Sequence, residues 1–126
     1  MKWQDLGPFR ALDFFNDNSV YILDVPGHLP GHVNLLCRVS RSKWICLCGD
    51  AFHDPRLLTG EKGIGTWEGE GGQTMCIHID KEAAEQSIQK LRVLQKAEGV
   101  GVELVAAHDE AWLERNQGSL FPGVME

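Results

Sequence analysis

The chain has no surplus of basic residues: 12 Lys and Arg stand against 18 Asp and Glu, a formal charge of −6 at pH 7. Without a basic patch or an Arg-rich stretch, nucleic acid and anionic membranes are poor partners. No apolar run approaches the ~20 residues a membrane helix needs. The start, Met1-Lys2-Trp3-Gln4-Asp5, lacks the apolar core of a signal peptide. The expectation is a soluble, cytoplasmic protein. Internal repeats and low-complexity tracts are absent. So are a Gly-x-Ser-x-Gly elbow, a Walker loop and a dinucleotide fingerprint; Gly63-Ile64-Gly65 has no third glycine and does not lead from a strand into a helix. Serine-hydrolase and nucleotide chemistries therefore lack their motifs. Cysteine is sparse, at positions 37, 46, 48 and 76. Cys46 and Cys48 are too close for a zinc knuckle and share one face if they lie on a strand. All four fall in apolar, strand-like stretches and read as small buried hydrophobes in a reducing compartment.

What is present is enough for one folded domain over residues 1–126, with 43% hydrophobic and 24% charged residues. Residues 1–18 form a mixed N-terminal segment with Gly7-Pro8 as a turn and Phe9, Leu12, Phe14 and Phe15 as anchors. Residues 19–25 read as a strand, and Asn16-Asp17-Asn18 before it as a turn. Val33–Val39 and Lys43–Cys48 read as a hairpin around Ser40-Arg41-Ser42. Both strands are apolar on both faces, as in a sheet covered on both sides. Gly60–Gln73 reads as a surface loop around Trp67, and Met75–Ile79 as a short extended segment. Asp80 is a helix N-cap, Lys81–Glu98 carries Ala84, Ile88, Leu91 and Leu94 at helical spacing, and Gly99 is a C-cap. Val100–Ala106 is a buried strand, and residues 109–126 a short helix and tail. Strands, a helix, then a strand give an α+β (α/β) mixed sheet.

Histidines and aspartates follow the strand ends, where open sheets place functional groups. Gly27-His28-Leu29-Pro30-Gly31-His32 sets two imidazoles in a Pro/Gly-stiffened loop after the first strand. Gly49-Asp50 puts a carboxylate after another strand, and His108-Asp109 follows the last. Each alone is an ordinary loop or cap residue. Together, two imidazoles and a carboxylate are a ligand set for zinc, iron or manganese.

This order of Gly-His-x-x-Gly-His, Gly-Asp and His-Asp, from about Ser19 to His108, resembles the metallo-β-lactamase-fold superfamily, in particular its lactonase and glyoxalase-II-like branches and their fungal relatives. The resemblance implies that His28 holds one metal, Asp50 bridges two, and His108 holds the second, with Asp50 and His28 as the catalytic pair. His32 is then a supporting residue, with His53 and Asp109 as further supporting groups; His78 reads as a surface or core histidine. The implied cofactor is zinc, one or two ions, with iron or manganese as substitutes. The implied activity is hydrolysis of an ester, lactone or thioester by hydroxide that the metal makes available near neutral pH.

One part of the pattern is missing. The family's His-x-His-x-Asp-His signature is absent; His53-Asp54, His78-Ile79-Asp80 and His108-Asp109 lack its spacing. A complete αββα sandwich needs roughly a hundred further residues on the N-terminal side. The expectation is a C-terminal half-fold: one mixed sheet with helices on one face and a bare apolar face on the other. Soluble monomers avoid such faces. Two consequences are expected, a homodimer through the bare face or residues 1–18 folded over it. Functionally, the alternatives are a small-molecule hydrolase with a reduced ligand set, an inactive truncated remnant that binds metal or regulates a paralogue, and a split enzyme completed by another chain.

Overall fold

The computed structural model describes residues 2–125. Strands β1 (Gln4–Leu6), β2 (Phe9–Asp13), β3 (Val20–Asp24), β4 (Val33–Arg38) and β5 (Lys43–Gly49) run in sequence as an antiparallel meander. A short helix α1 (Arg56–Thr59) and a two-stranded hairpin, β6 (Thr66–Glu68) with β7 (Thr74–Cys76), follow. Helix α2 (Lys81–Gln95) then returns the chain to β8 (Gly101–Ala106), which pairs parallel with β5; α3 (Glu110–Arg115) follows, and a single 3-10 turn at Gln117–Ser119 comes after it. The result is a six-stranded mixed sheet in the order β1-β2-β3-β4-β5-β8. Among the described residues no helix is long and apolar enough to cross a membrane.

Strand register sorts the side chains into two faces. Tyr21, Leu36, Cys46 and Leu104 lie side by side across four strands, and all are buried. Phe9, Ala11 and Leu23 extend that face, and Phe52, Leu57, Ile88 and Leu91 pack onto it. Helix α2 presents Ala84, Ser87, Ile88 and Leu91, a stripe at helical spacing. Its start is fixed by Asp80, whose carboxylate accepts the Ala83 N–H at 3.0 Å. Cys46 and Cys48 are buried on the helix-covered face, and all four cysteines are free thiols.

The other face carries Leu12, Ile22, Leu35, Leu47 and Val105 in one unbroken cross-strand row. Leu35 and Leu47, at its centre, are 38% and 39% exposed. The apolar two-sided pattern of β4 and β5 is therefore real, and the described residues cover only one of the two sides.

Three sequence readings are corrected. Of the N-terminal segment 1–18, the described residues 2–18 do not fold over the open face. They form the β1–β2 hairpin about Gly7 (φ +57°) and lengthen the sheet at its edge. Residues 60–73 are not loop throughout, since β6 lies within them; glycines around a three-residue strand hide its alternation. Helix α2 ends at Gln95, ahead of Glu98, with Lys96 as its cap.

Candidate functional site

Strands β3 and β5 are each antiparallel to β4, so they run the same way, and β8 runs parallel to β5. The C-terminal ends of all three therefore meet at one edge of the sheet. Their next residues supply the site: His28 beyond β3, Asp50 beyond β5, and His108 beyond β8. The end of β8 is held to β5 by the Ala107 N–H donating to the Gly49 carbonyl at 2.9 Å.

The His28 loop is tied at both ends. The Val25 N–H donates to the His32 carbonyl at 3.0 Å. The N–H groups of Ile79 and Asp80 donate to the carbonyls of His28 and Gly27 at 3.2 and 2.9 Å. Gly27 takes φ +142° and lies against the backbone of Ala84, so that a Cβ there would stand 2.4 Å from Ala84 Cα. The loop thus rests on the first turn of α2, with no room for a larger residue.

Asp50 is the centre. His28 Nε2 lies 3.6 Å from its Oδ2, and His108 Nε2 lies 3.0 Å from its Oδ1. Each carboxylate oxygen has its own imidazole. Behind them, the Asp50 N–H donates to His32 Nε2 at 3.2 Å. That bond needs a bare Nε2 on His32, and burial, the main cause, holds the His32 pKa below its ordinary value and keeps the ring neutral. His32 is thereby a support for Asp50, its Nε2 already engaged. Gly49 (φ +52°) makes this approach feasible, since a Cβ there would sit 3.1 Å from His32 Nε2.

The remaining histidines join the same group. His78 is 4% exposed, and its Nδ1 stands 3.3 Å from His28 Nδ1. The His53 ring lies 5.9 Å from that of His78, centroid to centroid. All five histidines of the chain are therefore linked, directly or through their neighbours, to Asp50. Asp109 is turned elsewhere: its carboxylate accepts the Trp112 N–H at 2.9 Å and caps α3. His78 is the residue that sequence reasoning passed over. Its signal was period-two alternation, with Ile77 and Ile79 exposed on either side of it.

Does this donor set suit a metal? Imidazole nitrogens and a carboxylate are the right chemistry for a divalent cation of the zinc group. Their arrangement is two pairs sharing one carboxylate. Among the described residues no three His, Cys, Asp or Glu side chains converge closely enough to hold an ion unaided. The residues fit as one part of a site and leave coordination positions to be filled.

Comparison with known proteins bears on the same architecture. No family model matches the chain. A solved N-acyl homoserine lactone hydrolase, with N-hexanoyl-L-homoserine bound at its catalytic metal centre, superposes with a TM-score of 0.57 over 81% of this chain at 22% identity. The chain carries part of the metallo-β-lactamase fold. That part is 36% of the solved lactone hydrolase. N-acyl homoserine lactonase AttM of Rhizobium radiobacter is 30% identical over 116 residues, covering 89% of this chain and 39% of AttM. Cytochrome P450 monooxygenase mpaDE' of Penicillium brevicompactum is 30% identical over 118 residues, 82% of this chain and 14% of that protein. The chain thus spans well under half the length of the relatives it matches. The metallo-β-lactamase fold accounts for the mixed sheet, the helix-covered face and the gathering of His28, Asp50 and His108 at one edge.

Proposed function

We propose that this chain supplies the His28–Asp50–His108 side of a metal-dependent hydrolase site acting on an ester, lactone or thioester. The observation that carries the reading is the Asp50 carboxylate with one imidazole Nε2 at each oxygen, at 3.6 and 3.0 Å. The names of AttM, a lactonase, and of the solved lactone hydrolase support the substrate class. His28 and Asp50 would hold one divalent cation, zinc by preference, and Asp50 and His108 a second. When bound, such a cation acidifies water and polarises a carbonyl. Asp50 supplies the negative charge between the two imidazoles, His32 fixes the backbone beneath it, and the loop tie to α2 holds His28 in place. His53 supports from farther out, beside His78.

The purified chain is expected to retain about one metal or more after dialysis against zinc, held by His28, Asp50 and His108 with the remaining coordination positions filled by water. It is expected to open a lactone at a rate that a chelator abolishes. Elemental analysis and a hydrolysis assay on lactone, ester and thioester substrates check this; a chain without metal and without hydrolysis ends the proposal. The lack of three converging donors among the described residues favours a second reading, a chain that folds and holds metal without turnover. Metal retention with no hydrolysis of any of the three substrates decides for it.

We also propose that the row of Leu12, Ile22, Leu35, Leu47 and Val105 is covered by a second copy of the chain. A two-fold contact lets the same row serve both copies, and hiding some hundreds of Å² is worth several kcal/mol at about 25 cal/mol per Å². Light scattering is expected to give twice the 14.0 kDa chain mass, falling to the single mass in Leu35→Glu. A clean single-chain mass for the unaltered protein at micromolar concentration contradicts the dimer.

A further inference from the structure

His78 contributes nothing to the ligand set above, yet it is the most buried histidine at the site and touches one of the proposed ligands. The contact joins Nδ1 of His78 to Nδ1 of His28 at 3.3 Å, with the rings edge to face, 86° between planes and 5.3 Å between centroids. Two bare nitrogens at this separation repel, as do two N–H groups. The contact is attractive only when one ring carries a hydrogen on Nδ1 and the other does not.

We propose that His78 is a positioning residue for His28, sharing one hydrogen between the two Nδ1 atoms and so holding the His28 ring with its Nε2 toward Asp50. Ligating histidines commonly engage their second nitrogen in a hydrogen bond that fixes ring orientation and tautomer. A carboxylate or a carbonyl is the usual partner; here it is a second imidazole. The His78 residue is itself fixed from several sides. Its carbonyl accepts from the Cys76 thiol at 3.2 Å, the neighbouring Ile79 N–H donates to the His28 carbonyl, and the His53 ring lies beside its own. The His78 Nε2 and the His53 Nδ1 are both buried without a partner among the described residues, which leaves the bond to His28 as the one the His78 ring makes. A neutral imidazole can either give or take the shared hydrogen, so the bond survives whichever tautomer His28 adopts.

The inference rests on the metal-site reading for its use, and its first test does not. Nitrogen-15 NMR of the metal-free, unaltered chain is expected to show one of His28 and His78 in the Nδ1–H tautomer and the other with a bare Nδ1. Two rings both protonated at Nε2 alone, or both doubly protonated, overturn the proposal. The second test is zinc affinity by chelator competition. His78→Phe is expected to bind about 10- to 100-fold more weakly, and His78→Gln, whose amide can still give or accept a hydrogen bond, to recover most of the loss. Equal affinity in His78→Phe and the parent overturns the proposal. Should His78→Phe not fold, the tautomers of the parent and the affinity of His78→Gln still decide. A parent that binds no zinc removes the metal-site reading and leaves the tautomer result to judge His78.

Discussion

Asp50→Ala will lower divalent-metal affinity by more than about 100-fold, beyond the 10- to 100-fold expected for losing a supporting partner. The reason is that this single carboxylate serves both imidazoles, His28 at one oxygen and His108 at the other. Removing it takes away a ligand and the charge from both halves of the group at once. The fold should tolerate the change. The Asp50 side chain is 41% exposed, and its backbone bond to His32 does not depend on the carboxylate. Asp50→Asn separates the contributions: the amide keeps one acceptor oxygen and loses the charge, so its affinity should lie between those of the parent and the alanine variant. Competition against a metallochromic chelator measures all three. Unchanged affinity in Asp50→Ala would remove Asp50 from the centre of the site.

Gly27→Ala is expected to destabilise the fold by about 3 kcal/mol, the upper part of the range for forcing atoms into a packed region. The added Cβ would meet Ala84 Cα at 2.4 Å and Ala84 N at 2.5 Å. Those are backbone atoms in the first turn of α2, so no side chain can swing aside. The φ of +142° adds strain of its own for any residue with a Cβ. Relief requires the loop and α2 to separate, which breaks the Asp80 N–H bond to the Gly27 carbonyl. Gly31→Ala is the control, since a Cβ added there would meet nothing within 4 Å. Urea unfolding should show a lower midpoint at unchanged slope for Gly27→Ala and little change for Gly31→Ala. Equal midpoints would mean that the loop does not bear on α2 in solution.

Much of the architecture was legible because its signals are local. Val20–Asp24 and the β4–β5 hairpin are dense in branched and aromatic residues, Asp80 announces α2, and each of His28, Asp50 and His108 closely follows an apolar strand. That these three meet followed from strand direction, which periodicity does not give; it came from the resemblance in motif order. The β1–β2 hairpin was obscured because Gln4–Leu6 is three residues long and its stability comes from pairing with Phe9–Asp13, not from its own composition. His78 was obscured for a different reason. Its partner His28 lies fifty positions earlier in the chain, and only the packing of the residues before α2 against the His28 loop brings the rings together. Asp109 shows the opposite failure: its place after β8 marked it for chemistry, and the start of α3 claims its carboxylate.

Asp50 and its two imidazoles come from the ends of β5, β3 and β8, separated along the chain by a hairpin on one side and a helical crossover on the other. An unfolded chain cannot gather them without first closing both of those long loops. A cation bound as proposed would therefore be selective for the native state, and its binding free energy would add to the conformational equilibrium by mass action. The concentration of free metal in the surroundings would then set how often the parallel β5–β8 seam opens, making ion supply and chain integrity one thermodynamic variable.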